Sequence, residues 1–439
     1  MSKRSLVLLI VAACGGGENS PPDPDAPEVP LGPTANAARE VLDTKLAFDV
    51  TAMSGTAIVT VGPSSEPGAT FEVGDLVLDS VRLGDADLAY MARETLGMTT
   101  GRVIDLALAA SDAPTEVTFA FHYKAHSSFD GASANGFTLL WPYYCGNLFP
   151  CHSDPADGTT LSLEVTGVPA GKQAVYPAMV SEAPSYQIAW SIDAYTELDL
   201  GTTEAGTQLS VWYRTGEQTN ATNGSQHLRD VFDWYEKNIG PYRFGPKAGS
   251  VSVRWGQGAL GGMEHHPYWH LGSGAIGDEE THAHEAAHGW YGDGIRIACW
   301  EDFVLSEGTT TYLSARALDV IAPSVGQQLW TSFEAELADI PGTALVWPQG
   351  CNEIDILGDD LFTRAPYVRG ALFYRALALK VTPEKVDETL RTFYAAHAGK
   401  AARMSDMLAT IQTVTGYDPT TCADMWLRST TKPAPGACP

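Results

Sequence analysis

The chain has 439 residues, 44% of them hydrophobic and 18% charged, which excludes a single small module, a disordered acidic tail and a fibrous protein. Its net charge of −26 repels phosphate backbones and anionic headgroups, so nucleic acid is not an expected partner. The 43 Gly and 27 Pro favour a turn-rich, β-containing protein over a helical bundle.

In chain order, Lys3 and Arg4 precede an apolar run from Leu6 to Ala13, far shorter than the roughly 20 residues that cross a bilayer. This pattern predicts a signal peptide over residues 1–13. It ends in Val11-Ala12-Ala13-Cys14, similar to a bacterial lipobox, which makes Cys14 the candidate lipidation site and the membrane a partner only through that N-terminal anchor. Residues 14–37, rich in Gly, Pro, Asp and Glu from Gly15 to about Pro33 and with little to bury, are expected to be a flexible tether. Gly15 after the Cys favours the outer membrane of a bacterial cell envelope, and secretion is the other extracytoplasmic outcome.

Between residues 38 and 216 short alternating runs recur, such as Ala57-Ile58-Val59-Thr60-Val61 and Leu161-Ser162-Leu163-Glu164-Val165. They predict an antiparallel β-domain. The spacing turns helical near residue 217, with Leu228, Val231, Phe232 and Tyr235 on one face, and a second, mainly helical domain is expected over 217–439. Six Cys remain after Cys14. An even number in an exported chain suggests disulfides, and of the 15 connectivities local pairing is expected: Cys145–Cys151, Cys422–Cys438 and, by remainder, Cys299–Cys351.

Within one predicted helix stands His284-Glu285-Ala286-Ala287-His288. Two His four apart project from one face and can grip a cation, with Glu285 beside the first as a base. Eighteen residues separate His288 from Glu307, which supplies a third ligand of the kind zinc takes. The combination arises by chance about 0.001 times in a chain of this length.

The segment HAHEAAHGWYGDGIRIACWEDFVLSEGTTTYLS resembles the zinc signature of the gluzincin aminopeptidases, the family of aminopeptidase N and leukotriene hydrolase. Gly261-Gly262-Met263-Glu264-His265 is similar to that family's exopeptidase motif, Pro366-Tyr367-Val368-Arg369-Gly370 to the segment holding its catalytic Tyr, and Leu148 to Pro155 to its Pro-Cys-x-Asp-x-Pro stretch. The resemblance spans roughly Ala38 to the C-terminus and omits the family's large C-terminal helical domain.

What the resemblance implies is an α+β architecture, the β-domain followed by a thermolysin-like zinc-peptidase domain, acting on peptide substrates. One Zn²⁺ would be held by His284, His288 and Glu307, with water as nucleophile, Glu285 as general base and Tyr367 as donor to the oxyanion. Glu264 would pair with the substrate's α-ammonium, flanked by Gly261, Gly262, Met263 and His265. The favoured function is removal of N-terminal residues from peptides. Alternatives are endopeptidase action, hydrolysis of another amide or an epoxide, and a non-catalytic peptide-binding surface lipoprotein.

Three positions depart from the family's pattern. His265 replaces the usual Asn and would add a titratable ring beside the amine; a Gln expected near Trp141 has no counterpart; and Ser314 stands where many members carry an acidic partner for a zinc His. His265, His266 and His270 are read as pocket lining, His282 as an exposed helix residue, and Trp141, Tyr143 and Tyr144 as core more than subsite. The sequence leaves the oligomeric state and the preferred side chain open.

Overall fold

A computed structural model describes residues 32–95, 101–255, 261–351 and 353–439. The expected signal peptide, Cys14 and most of the tether lie outside the described residues. Residues from 32 onward form one compact unit.

The N-terminal half is built on a seven-stranded sheet in the spatial order Met179–Ala183, Thr159–Thr166, Val41–Asp49, Ser54–Val61, Thr115–His122, Val77–Leu83 and Ala86–Asp87. Alternation along Ser54–Val61 buries Ala57, Val59 and Val61 on one face and turns the intervening residues outward. The sheet is antiparallel except at one place, where Val41–Asp49 and Thr159–Thr166 run parallel. That pair corrects the expectation of a wholly antiparallel domain: alternation fixes the faces of a strand and says nothing of its neighbour's direction.

The second half begins with a five-stranded sheet ordered Tyr195–Thr202, Gln208–Arg214, Lys247–Val253, Tyr268–Gly272 and Gly262–Met263. Because Gln208–Arg214 pairs in parallel with Lys247–Val253, the first two strands go with this half. Strand pairing therefore puts Tyr195–Thr202 and Gln208–Arg214, which lie ahead of the expected boundary at 216/217, in the second sheet. Helical spacing begins only with α1 (Gln218–Gly224) and α2 (Leu228–Asn238), which is why the change of period marked the later point.

Four further helices frame the site. They are α3 (Glu279–Ala287), α4 (Phe303–Ile321), α5 (Pro323–Asp339) and α6 (Arg364–Val381). Asp278 caps α3 by accepting from the Thr281 N–H at 2.9 Å, and Thr363 caps α6 by accepting from the Ala365 N–H at 3.3 Å. A contiguous apolar core runs through both halves and includes Phe48, Trp141 and Trp190 as well as Phe303 and Leu372, so side chains of the β-half are fixed against the helices. Three disulfides join Cys145 to Cys151, Cys299 to Cys351 and Cys422 to Cys438, as the sequence led us to expect.

Candidate metal centre

Helix α3 carries His284, Glu285 and His288, and α4 carries Glu307. His282 to Ala287 are all buried, so this is an interior helix. The Nε2 atoms of His284 and His288 lie 3.2 Å apart. Glu307 Oε2 lies 3.1 Å from the first and 3.5 Å from the second. Donors at roughly 2.0–2.1 Å around a tetrahedral zinc stand about 3.4 Å from one another, so this spacing fits. The ring tautomer fits as well. His288 Nδ1 donates to the Tyr291 carbonyl at 3.0 Å, which leaves its Nε2 lone pair facing the other two donors. Burial works against a charge on Glu307, but the two facing His rings pull its carboxyl down to about 2. It stands ready as an anionic ligand.

Glu285 is buried, and its Oε2 has no hydrogen-bond partner. Burial first, and then the charges of Glu264, Glu307 and Glu280, push its proton affinity well above the usual carboxylate range, with His288 opposing. Gly262 allows this placement: a Cβ there would stand 2.2 Å from Glu285 Oε1. The strand Gly262–Met263 lies at the edge of its sheet and delivers Glu264 to the cleft. Glu264, Glu285 and His288 bring their donor atoms within 4.8 Å of one another.

Tyr367, in the first turn of α6, stacks on His284 with ring centroids 5.9 Å apart, and the Arg364 guanidinium sits over its ring. Burial, followed by the charges of Glu307, Glu264 and Glu285, raises the Tyr367 hydroxyl well above its ordinary range. It remains protonated and able to donate. These groups line a cleft of about 310 Å³ together with Gly261, Met263, Trp141 and Phe362. Trp141 packs on Phe362 at 4.7 Å, so it is both core and cleft wall, whereas the Tyr143 hydroxyl accepts from the Ile356 N–H and serves the core. Arg369 points away and donates to the Ser429 carbonyl at 2.7 Å.

Two expectations about histidines are corrected. His265 does not line the cleft; it is buried with its Nδ1 3.1 Å from that of His270. Glu264 and His265 both follow the two-residue edge strand Gly262–Met263, and there Glu264 faces the cleft while His265 faces the His270 ring. His282 is also buried, between the Ser250 hydroxyl at 2.7 Å and the Ile276 carbonyl at 3.0 Å, because two residues before a ligand places it on the face of α3 that packs on the sheet. Three site residues escaped sequence reasoning. Tyr186 from the β-half touches Glu264 and carried no motif; Asp293 shares the Tyr186 hydroxyl; and Glu280 sits one turn before His284.

Comparison with known proteins agrees with this geometry. Residues 278–426 match the Peptidase family M1 domain. The chain is 26% identical over 156 residues to Aminopeptidase N of Streptomyces lividans, covering 34% of this chain and 18% of that protein. It is 24% identical over 314 residues to Leucine aminopeptidase 2 of Aspergillus clavatus, covering 63% of this chain and 48% of the other. The chain thus spans less than half the length of these curated relatives. The fold is that of the M1 zinc metallopeptidase of Deinococcus radiodurans, with TM-score 0.75 and 18% identity over 91% of this chain and 96% of that one. A mutant of that protein has been solved with a Tyr-Ser-Ala substrate.

Proposed function

We propose that the chain, whose residues 278–426 match the Peptidase family M1 domain, is a zinc aminopeptidase that hydrolyses N-terminal residues from peptides. The single observation carrying this reading is Glu264. It is buried within 4.8 Å of the base Glu285 and the ligand His288, so an ammonium held there brings the first peptide bond to the metal.

When bound by His284, His288 and Glu307, zinc supplies the positive charge that polarises the carbonyl and makes water a nucleophile at neutral pH. The rest is done by side chains. Glu285 accepts the proton of the attacking water through its unpartnered oxygen and passes it to the leaving amine. Tyr367 donates its hydroxyl hydrogen to the developing oxyanion. Glu264 fixes register, and Trp141 with Phe362 forms an aromatic wall of the cleft. The edge strand at Gly262–Met263 offers backbone to an extended substrate.

We also propose an extracytoplasmic location with a lipid on Cys14. Three disulfides fit an oxidising compartment. Among the described residues no helix is long and apolar enough to cross a membrane.

A panel of aminoacyl chromogenic amides, assayed with and without a chelator, tests the function. Chelator-sensitive release of the free amino acid is expected. No release from any member by zinc-loaded protein would overturn the reading.

A further inference from the structure

A histidine that binds metal through Nε2 is oriented by whatever its Nδ1–H donates to. For His288 that partner is the Tyr291 carbonyl at 3.0 Å. His284 has no backbone acceptor in this role. Its Nδ1 faces Thr311 Oγ1 at 3.4 Å, and the Thr311 hydrogen is committed to the Glu307 carbonyl at 2.7 Å, so the hydroxyl oxygen is left to accept. Behind this weak contact stands Glu280, with Oε1 4.0 Å from the same nitrogen.

Glu280 lies one helical turn before His284 on the same face of α3. Only 20% of its side chain is exposed, it borders the cleft, and Ser314 of α4 approaches its Oε1 at 3.4 Å. Ser314 is fully buried and small, which leaves room for the carboxylate to enter from α3. The acidic partner expected at residue 314 is therefore absent from α4, while a carboxylate reaches the same histidine from the opposite helix. No other carboxylate approaches His284 Nδ1 within 4 Å among the described residues.

We propose that Glu280 is the positioning residue of the metal ligand His284. Thr311 takes the Nδ1 hydrogen, and Glu280, whose proton affinity burial raises against the pull of the His284 ring, places a negative charge behind it when ionised, which favours the charge that builds on the imidazole when it binds a dication. The Ser314 hydroxyl donates to the Thr311 carbonyl at 3.0 Å and stands 3.4 Å from Glu280 Oε1, beside it. This inference rests on the reading of His284, His288 and Glu307 as a zinc site.

The test is zinc affinity, measured by chelator competition on the full chain for wild type, Glu280→Gln and Glu280→Ala. Affinity is expected to fall roughly 10- to 100-fold in both variants. The melting temperature of the metal-free protein should stay within a degree or two for the isosteric Gln variant, while the rise on adding zinc becomes smaller. Wild-type zinc affinity in Glu280→Gln would overturn the inference. So would unchanged affinity with a raised KM, which would make Glu280 a substrate contact. Wild type that takes up no zinc would end the reading of the centre itself, and that result is separate from either of these.

Discussion

Gly308 and Gly370 touch where α4 crosses α6. A Cβ at Gly370 would stand 2.5 Å from the Gly308 Cα, and one at Gly308 would stand 2.8 Å from the Gly370 Cα. Glu307 precedes the first contact by one residue and Tyr367 precedes the second by three, so this backbone approach sets the distance between a metal ligand and the proposed oxyanion donor. Gly370→Ala is expected to cost about 1–3 kcal/mol of stability through overpacking. It should lower kcat by tenfold or more while zinc still binds. Melting temperature, zinc content and kcat measured on one preparation check this.

The Tyr186 hydroxyl lies 2.9 Å from Glu264 and 3.0 Å from Asp293, so a residue of the β-half holds the amine anchor. Hydrogen bonds to charged groups contribute roughly 1.5–3 kcal/mol. Tyr186→Phe should therefore raise KM for free peptides about tenfold or more and leave zinc content unchanged. An unchanged KM would remove Tyr186 from the amine site.

Glu285→Gln keeps all three proposed metal donors and removes the proposed base. Zinc content is expected to match wild type, and kcat to fall by about 10²- to 10⁴-fold. Turnover within a few-fold of wild type would assign the base elsewhere.

Burial pushes His270 down to about 3, and burial followed by the neighbouring His270 and His266 pushes His265 well below its ordinary value. Folding therefore excludes protons that the unfolded chain binds below about pH 6.5. The stability due to each neutral ring is fully present above that pH and is lost as pH falls, for His270 by about 2 kcal/mol at pH 5. His265→Asn should narrow the difference in melting temperature between pH 7 and pH 5. It should leave the acid limb of KM unchanged, because the ring is neutral and outside the cleft, contrary to what its place in the motif suggested.

The sequence made some of this legible and hid the rest for physical reasons. His284, Glu285, His288 and Glu307 stood out because helical spacing turns sequence separation into distance. The disulfides followed from parity and proximity. Tyr186 was hidden because 78 residues separate it from Glu264, and only the shared core brings the two halves together. His265 and His282 were misplaced because a motif fixes neighbours along the chain, whereas the local backbone after the strand Gly262–Met263 and the helix face decide which way a side chain points. The direction of Val41–Asp49 and the sheet that Gln208–Arg214 joins depended on pairing partners distant in sequence.

The account turns on the substrate's free amine, so the most direct measurement is kcat/KM of the zinc-loaded protein for one peptide in its free and Nα-acetylated forms. Acetylation removes the charge and leaves Glu264 buried without a counterion. The free peptide should be preferred by at least about 10²-fold, the scale of losing a buried charge pair, and Glu264→Ala should narrow that ratio. Equal cleavage of the two forms would contradict the aminopeptidase reading.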